Sequence, residues 1–149
     1  MKKHMILIEG CISHSETETK KIGEHLAKKL IAGDVVALYG NLGAGKTTLV
    51  KGIARGLGVK PEDQVSSPTY VVIHEYRGKK LKLYHLDWYR LKNVRGVDEA
   101  LAEECFYSKG ITLVEWPERG EDLLPEHALR IKINHKNLTT RLIEGLPRL

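Results

Sequence analysis

One segment constrains the fold of this chain more than any other, the glycine-rich run Gly40-Asn41-Leu42-Gly43-Ala44-Gly45-Lys46-Thr47. It fits the pattern G-x-x-x-x-G-K-[ST] of the phosphate-binding P-loop. The apolar run 35–39 before it has the length of a strand, and large aliphatic residues recur every four positions in 48–57, as in a helix. Strand, glycine-rich turn and helix together are the context that this motif requires. The segment therefore predicts a binding site for a nucleoside triphosphate.

The residue types of this motif suit a polyphosphate. Its glycines allow sharp turns that bring backbone N–H groups close to phosphate oxygens, and the helix that begins near Lys46 directs its positive dipole end at the same anion. Lys46 adds a point charge for the β and γ phosphates. Thr47 places a hydroxyl where a nucleotide-bound Mg²⁺ can take it as a ligand. The alternative is a chance match in a loop, which the flanking strand and helix disfavour.

Length and composition bound the function more loosely. The chain has 149 residues, which predicts a single domain over 1–149, and it is 42% hydrophobic and 29% charged, as globular proteins are. Its apolar runs are too short to span a membrane. The net charge of +5 permits an acidic partner, but no arginine-rich or aromatic-interleaved block marks a nucleic-acid surface. We expect neither a membrane nor a DNA partner.

Cysteine and histidine usage predicts no metal site of the zinc type. Cys11 and Cys105 have neither metal-ligand spacing nor the pattern of a disulfide framework, so a reducing cytoplasm is the simplest interpretation. His74 and His85 could be neighbours on a predicted hairpin, but we expect no metal there. The location predicted for the chain is cytoplasmic.

Local patterns place the remaining secondary structure. Seven segments are predicted as strands: 4–9, 35–39, 70–76, 81–86, 111–114, 128–134 and 139–144. Ser15 and Glu18 have capping-box spacing, which predicts a helix that begins there, and Gly33 is expected to end it in the left-handed conformation. Further helices are predicted at 48–57 and 97–106.

These elements predict a P-loop α/β fold. The central sheet is expected to be mixed and mainly parallel, flanked by helices, with antiparallel strands at its edges. The strands that end at Tyr39 and Glu115 should lie in the parallel centre. The hairpin formed by 70–76 and 81–86, together with the two C-terminal strands, should supply the antiparallel pairs.

A P-loop enzyme needs an acidic residue at the end of a neighbouring strand, where it completes the shell of the metal or orients a water molecule. Two residues qualify. Glu115 follows the buried-type run 111–114, and Asp87 follows the run 83–86. Either residue could instead be a surface carboxylate beyond a strand end. The pattern by itself does not decide which of the two has the functional role.

Four other residues are candidates for the site. Thr69 lies between the P-loop helix and the next strand, where nucleotide switches place a threonine that contacts the γ-phosphate, although a threonine that merely opens a strand is common. Arg90 and Arg119 could neutralise charge on a transferred phosphate, but a plain surface position is the better interpretation of both. Trp116 packs either at the edge of the nucleotide site or in the core.

Four segments acquire a more specific meaning when they are considered together. They are the P-loop run 41–48, Val65-Ser66-Ser67-Pro68-Thr69-Tyr70, His85-Leu86-Asp87-Trp88-Tyr89-Arg90-Leu91 and Val114-Glu115-Trp116-Pro117-Glu118-Arg119. In this order they resemble the bacterial TsaE family over nearly the whole chain. The departures are small, since the family more often has aspartate at the position of Asn41 and phenylalanine at that of Tyr70, and neither position has a catalytic role.

The resemblance implies a function that spacing alone does not. TsaE-like proteins are ATPases required for the threonylcarbamoyl modification of adenosine in tRNA, and they work with a TsaB–TsaD complex that carries out the transfer. The resemblance therefore implies an ATP hydrolase that uses ATP and Mg²⁺, is slow alone and is stimulated by its partners. It would meet tRNA only indirectly, through that complex, and its hydrolysis would reset the complex between turnovers.

The resemblance also implies roles for individual residues. Those expected to bind the nucleotide are Asn41, Leu42, Gly43, Ala44, Gly45, Lys46, Thr47, Thr48, Thr19, Trp116 and Arg141. Thr47 and Glu115 are the expected magnesium ligands. Asp87, Glu115 and Thr69 are the expected catalytic residues.

Two other functions remain compatible with the residues. A small-molecule kinase would use the same P-loop, but it would need an acceptor pocket and a mobile lid with arginines, and no long lid segment is visible in 92–149. A nucleotide-gated RNA-binding module has the net charge of +5 as its only support. Phosphate transfer to a small acceptor would favour the first, and tight, salt-sensitive tRNA binding by the chain alone would favour the second.

Overall fold

The computed structural model describes residues 10–41, 43–61, 65 and 72–146. The strands within these ranges are β1 (Cys11–Ser13), β2 (Val35–Tyr39), β3 (Ile73–Arg77), β4 (Lys82–Asp87), β5 (Ile111–Glu115), β6 (Leu129–His135) and β7 (Arg141–Leu146). The α-helices are α1 (Glu16–Ala27), α2 (Lys46–Gly56) and α3 (Val97–Phe106), and a 3₁₀ segment spans Pro117–Leu123.

The strands form one sheet in the order β1-β7-β6-β2-β5-β4-β3. Strand β2 pairs in parallel with both β5 and β6, and β4 extends the parallel centre on the far side of β5. The pairs β3–β4, β6–β7 and β1–β7 are antiparallel, so only β3 and β7 run against the other five strands. The predicted mixed, mainly parallel α/β sheet is confirmed, including the central position of the strands that end at Tyr39 and Glu115.

Several element ends are shifted by one to three residues from the sequence-based expectation, and three differences are larger. Strand β1 lies at Cys11–Ser13, whereas the predicted strand 4–9 falls outside the described residues. Helix α1 ends at Ala27 because the chain turns there through short-range hydrogen bonds, which bring Leu30 into the core. Gly33 does have the predicted left-handed backbone, but it belongs to the turn that leads into β2 and does not cap α1.

Helices α1 and α2 pack with their backbones unusually close together, and glycines make this possible. A Cβ atom on Gly23 of α1 would lie 2.6 Å from the backbone oxygen of Leu49 and 2.8 Å from the nitrogen of Ile53. A Cβ atom on Gly52 of α2 would overlap the backbone carbonyl of Lys20. Any side chain here would force the helices apart. The contact fixes the first turn of α1 beside the helix that follows the P-loop.

The core has one cluster on each face of the sheet. Buried side chains of α1 and α2 cover one face, where they meet residues such as Leu38, Leu113 and Ile131. The other face is covered by α3 and the loop after β4, through Phe106 and Trp88. These two layers bury β5 and nearly all of β2, the two central strands that lead into the candidate site. None of the helices in the described part of the chain has the length and apolar composition that crossing a bilayer requires.

Candidate functional site

The carboxyl ends of three neighbouring parallel strands meet at one edge of the sheet. The P-loop follows β2, Glu115 is the last residue of β5, and Asp87 is the last residue of β4. The strand register pairs Leu38 with Glu115 and Glu115 with Asp87. In open α/β sheets, ligands bind in the crevice outside these strand ends. The two acidic candidates are therefore brought side by side, next to the glycine-rich loop.

A cleft of about 780 Å³ opens at this edge. Ten residues predicted for the site line it: Thr19, Gly43, Gly45, Lys46, Thr47, Thr48, Asp87, Glu115, Trp116 and Arg141. The other described residues that line it are His14, Ser15, Glu16, Tyr89, Arg90, Leu138 and Thr139. The predicted site residues thus converge from α1, the P-loop, β4, β5 and β7 on one concave surface.

Two predicted site residues do not line the cleft, and two others fall outside the described residues. Asn41 and Ala44 are not among the described residues that line the cleft, and they contribute to the loop through a backbone hydrogen bond from Ala44 N to Asn41 O. Ala44 is buried in the core. Leu42 and Thr69 lie outside the described residues, so the expected contact of Thr69 with the γ-phosphate stays a prediction.

Lys46 is the buried cation of the cleft, with only 5% of its surface exposed. Its Nζ donates a 2.6 Å hydrogen bond to the carbonyl oxygen of Gly40 and lies 3.9 Å from the centroid of the Trp116 ring. Burial lowers the pKa of Lys46, and the negative charges of Glu115, Glu118 and Asp87 act in the opposite direction. The Lys46 side chain is thus largely shielded from water in the free protein.

Trp116 meets both of its sequence-based interpretations in part, because it lines the cleft and also packs against the core cluster that contains Phe106 and Trp88. The side chain is half-buried at the cleft, with its ring over Lys46 and 5.0 Å from the ring of Tyr89. Its backbone has a φ of 57°, in the left-handed region that non-glycine residues seldom adopt. Trp116 therefore forms part of the cleft wall, held there by an unusual turn at the end of β5.

Both strand-end carboxylates are buried, with Asp87 and Glu115 each 3% exposed, so neither is a plain surface residue. Glu115 Oε2 lies 2.6 Å from Nε2 of His85, which is itself fully buried. Asp87 Oδ1 accepts a 2.9 Å hydrogen bond from the backbone N–H of Tyr89. Buried carboxylates need such partners, because desolvation of an unpaired charge is costly. The cleft floor therefore combines one buried cation with two buried acids.

Two further segments complete the walls of the cleft. At the start of α1, Thr19 is buried, and its hydroxyl lies 2.7 Å from that of Ser13 and 3.2 Å from the carbonyl of Ser15. At the start of β7, Arg141 Nη1 donates to the carbonyl of Asn137, in the turn after β6, at 3.1 Å. Its guanidinium lies against Gly45, since a Cβ there would be 3.5 Å from Arg141 Nε.

Several residues that line the cleft were not predicted from the sequence. Two arginines with the same sequence-based interpretation also differ in the structure. Arg90 lines the cleft although it is exposed, whereas Arg119 donates its Nη1 to the carbonyl of Leu91 at 3.3 Å. Tyr89 lies two residues after Asp87 and directly before the candidate Arg90, and this closeness in the sequence was a usable signal. Leu138 and Thr139, by contrast, had no signal in their own segment, because only the pairing of β6 with β7 brings their turn to the P-loop.

Comparison with known proteins identifies the family. The family model described as threonylcarbamoyl adenosine biosynthesis protein TsaE matches residues 13–143. The chain belongs to the TsaE family. The matched residues include the P-loop, both strand-end acids and the turn between β6 and β7. The resemblance seen in the four sequence segments is confirmed.

Individual relatives agree with this assignment. The chain is similar to the tRNA threonylcarbamoyladenosine biosynthesis protein TsaE of Treponema pallidum (strain Nichols), with 40% identity over 83% of this chain and 89% of the relative. The protein of the same name from Aquifex aeolicus (strain VF5) is 38% identical over 89% of this chain and 100% of its own length. The crystal structure of Bacillus subtilis YdiB matches with a TM-score of 0.78 and 36% identity, over 96% of this chain and 87% of that one.

Proposed function

We propose that this TsaE-family chain is a Mg²⁺-dependent ATP hydrolase that serves tRNA threonylcarbamoyladenosine biosynthesis in the cytoplasm. It would act as the nucleotide-switched partner of a TsaB–TsaD complex and meet tRNA only through that complex. The observation that carries the proposal is the convergence of a desolvated P-loop lysine, a threonine hydroxyl and two buried carboxylates in one cleft. Buried ionisable side chains gathered in a cleft are typical of functional sites.

The cleft suits ATP in size and in charge. Its volume of about 780 Å³ falls within the range of small-molecule sites. The triphosphate would lie against Lys46 and the first turn of α2, where the helix dipole and the lysine favour an anion. The remainder of the nucleotide would extend between the start of α1, near Thr19, and Arg141 at the start of β7.

The residues of the cleft fit a magnesium ion. Mg²⁺ prefers oxygen ligands and is usually held by one or two protein oxygens together with substrate phosphates. Thr47 offers a hydroxyl and Glu115 a carboxylate at the same cleft. Glu115 is the better metal ligand of the two acids because β5 neighbours β2, which leads into the P-loop, whereas Asp87 lies one strand further away. The ion would supply positive charge to the phosphates.

The remaining roles follow from position. Asp87 lies one strand further from the P-loop than Glu115. It would orient the attacking water and accept its proton as that water attacks the γ-phosphorus. The bond between this phosphorus and the β–γ bridging oxygen then breaks, leaving ADP and inorganic phosphate. Lys46 would stabilise the charge on the transferring group, and the rings of Trp116 and Tyr89 would limit access of bulk water. Thr69 would respond to loss of the γ-phosphate, as the switch threonine of the hydrolytic site.

The test is release of phosphate from Mg-ATP by the purified chain, alone and with its cognate TsaB–TsaD complex. We expect slow release that rises with the partners. Glu115→Gln should lower the stimulated rate roughly 100-fold, the loss typical of a removed transition-state contact. The matched control is Glu75→Gln, because Glu75 is an exposed glutamate of β3 that pairs with Lys82 at 3.0 Å outside the cleft.

Three outcomes would count against the proposal. If Glu115→Gln retains full activity, the metal and catalytic site lies elsewhere. If phosphate appears on a small acceptor and not in solution, the chain is a kinase. If the rate ignores TsaB–TsaD and the chain alone binds tRNA tightly in a salt-sensitive manner, an RNA-binding role takes precedence.

A further inference from the structure

A fully buried histidine lies directly beneath the proposed metal ligand. His85 is 0% exposed, and its Nε2 lies 2.6 Å from Oε2 of Glu115, whose side chain is 4% exposed. The two residues stand on β4 and β5, which are adjacent parallel strands of the sheet. The register pairs His85 with Leu113, which places the imidazole on the sheet face that α1 and α2 cover.

The contact with Glu115 determines which ring nitrogen of His85 carries the proton. An ionised carboxylate accepts hydrogen bonds and cannot donate them, so Nε2 of His85 must carry the proton that Glu115 Oε2 accepts. The other ring nitrogen, Nδ1, is buried and has no hydrogen-bond partner among the described residues. A neutral imidazole leaves only a lone pair unsatisfied at Nδ1, whereas an imidazolium would leave a buried N–H donor without an acceptor.

Packing alone does not explain a histidine at this position. A buried nitrogen without a partner costs free energy, and an apolar side chain of similar size would avoid that cost on a sheet face lined by leucines and isoleucines. Among the residues that the structure describes, Glu115 is the only hydrogen-bond partner of His85. The histidine therefore gives the fold a hydrogen bond to one particular carboxylate at the cleft.

We propose that His85 is a positioning residue for Glu115, holding the carboxylate in the orientation in which it binds magnesium. The inference rests on the proposed function, because it assumes that Glu115 is the metal ligand. A glutamate side chain has three rotatable bonds, and a ligand that must first be ordered binds its metal more weakly. Hydrogen-bond partners behind ligating carboxylates commonly change metal affinity about 10- to 100-fold when they are removed.

Strand β4 would then serve the site twice. Successive residues of a strand point to opposite faces, so His85 and Asp87 lie on the same side of β4. Asp87 reaches the cleft itself, while His85, one step deeper, holds the acid of the neighbouring strand. The two strands β4 and β5 thus act as one preorganised unit.

The experiment compares how much magnesium strengthens nucleotide binding. Isothermal titration calorimetry would give the Kd of a non-hydrolysable ATP analogue in saturating Mg²⁺ and in EDTA. The readout is the ratio of the Kd in EDTA to the Kd in Mg²⁺. His85→Leu removes the donor, and His85→Gln keeps an amide N–H near the position of Nε2. The matched control is His74→Leu, because His74 is the register partner of His85 on β3 and contacts the hydroxyl of Tyr76 at 3.0 Å.

We expect His85→Leu to lower this ratio about 10- to 100-fold, with the affinity in EDTA unchanged. His85→Gln should recover most of the ratio, and His74→Leu should leave it as in the unmodified chain. A merely structural role for His85 would weaken binding equally with and without magnesium and leave the ratio constant, which overturns the inference. So does equal loss in the leucine and glutamine variants.

Glu115→Gln separates the inference from the proposal on which it rests. If Glu115→Gln loses the magnesium effect but His85→Leu keeps it, only the positioning role is wrong. If magnesium does not strengthen binding to the unmodified chain, or if Glu115→Gln retains the full effect, the metal assignment fails and the role of His85 fails with it.

Discussion

Replacing Lys46 by methionine removes the ammonium group from the cleft and keeps most of the unbranched stem. In the free protein, two contacts are lost, the 2.6 Å hydrogen bond to the Gly40 carbonyl and the placement 3.9 Å over the Trp116 ring. The neighbouring acids Glu115 and Asp87 also lose a nearby positive charge. These losses are opposed by one gain: the variant no longer has the desolvation cost of a buried cation, since Lys46 is only 5% exposed.

The opposing contributions are of similar size. A hydrogen bond from a charged donor contributes about 1.5–3 kcal/mol, and a desolvated cation–π contact about 2 kcal/mol. Removing a cation from water costs several kcal/mol, which the methionine no longer incurs. We therefore expect the free energy of unfolding of the ligand-free variant to change by about 1 kcal/mol or less, a shift of roughly 2–4 °C in Tm.

Nucleotide binding should respond much more strongly. Because Lys46 is already largely buried in the free protein, its contact with phosphate carries little additional desolvation cost. Loss of one charge-assisted contact of about 1.5–3 kcal/mol corresponds to a Kd raised about 10- to 150-fold. Calorimetric titration with a non-hydrolysable Mg-ATP analogue measures this change, and thermal unfolding without ligand measures the stability. Lys51→Met, which alters an exposed lysine of the same helix α2, is the control.

The pH dependence adds a second readout. Because burial lowers the pKa of Lys46 below 10.5 in the folded chain, the unfolded state holds more protons between the folded pKa and 10.5. Stability therefore gains a contribution that rises with pH in this window, and Lys46→Met should lack it. Unchanged nucleotide affinity in Lys46→Met, or an equal loss in Lys51→Met, would refute the assignment of Lys46 as the phosphate-binding cation.

Two further perturbations probe the scaffold. Gly52→Ala should lower the free energy of unfolding by about 1–2 kcal/mol in urea denaturation, because overpacking against the Lys20 carbonyl outweighs the helix propensity gained. Tyr39→Phe should lose about 1 kcal/mol at pH 8, since the Tyr39 hydroxyl donates to Glu121 at 2.8 Å. Burial and Glu121 raise the pKa of Tyr39 from 10.0 to about 12, so the unfolded chain loses this proton first and the advantage of tyrosine should shrink from pH 10 to 12.

Each of these expectations can fail in a specific way. Gly52→Ala with undiminished stability would mean that α1 can move away from α2 without loss of packing. A difference between tyrosine and phenylalanine that is the same at pH 8 and pH 11 would mean that the hydroxyl proton is not held in the folded state. Thermal unfolding of Gly23→Ala provides a parallel case, since its Cβ would also meet backbone atoms of the partner helix.

The P-loop could be predicted because its signal is local. Glycines at fixed spacing, Lys46 and Thr47 lie within eight consecutive residues, and the flanking periodicities of two and of 3.6 residues are themselves properties of short segments. The same holds for Glu115 and Asp87 as acids at strand ends, and for α3, whose observed span of Val97–Phe106 equals the predicted one. Turn chemistry was less informative, and α1 ends at Ala27 although the apolar pattern continues to Ile31.

The composition of the cleft beyond the motif depended on which strands become neighbours. The sequence by itself determined the phosphate loop, its lysine and threonine, and a choice of two acids. Only the tertiary structure placed Glu115 between the P-loop strand and Asp87, put His85 beneath it, and brought the turn at Leu138 to Gly45. Strand order and register arise from hydrogen bonds and packing between residues far apart in the chain. No local spacing encodes such pairings, because each depends on the burial of the whole sheet.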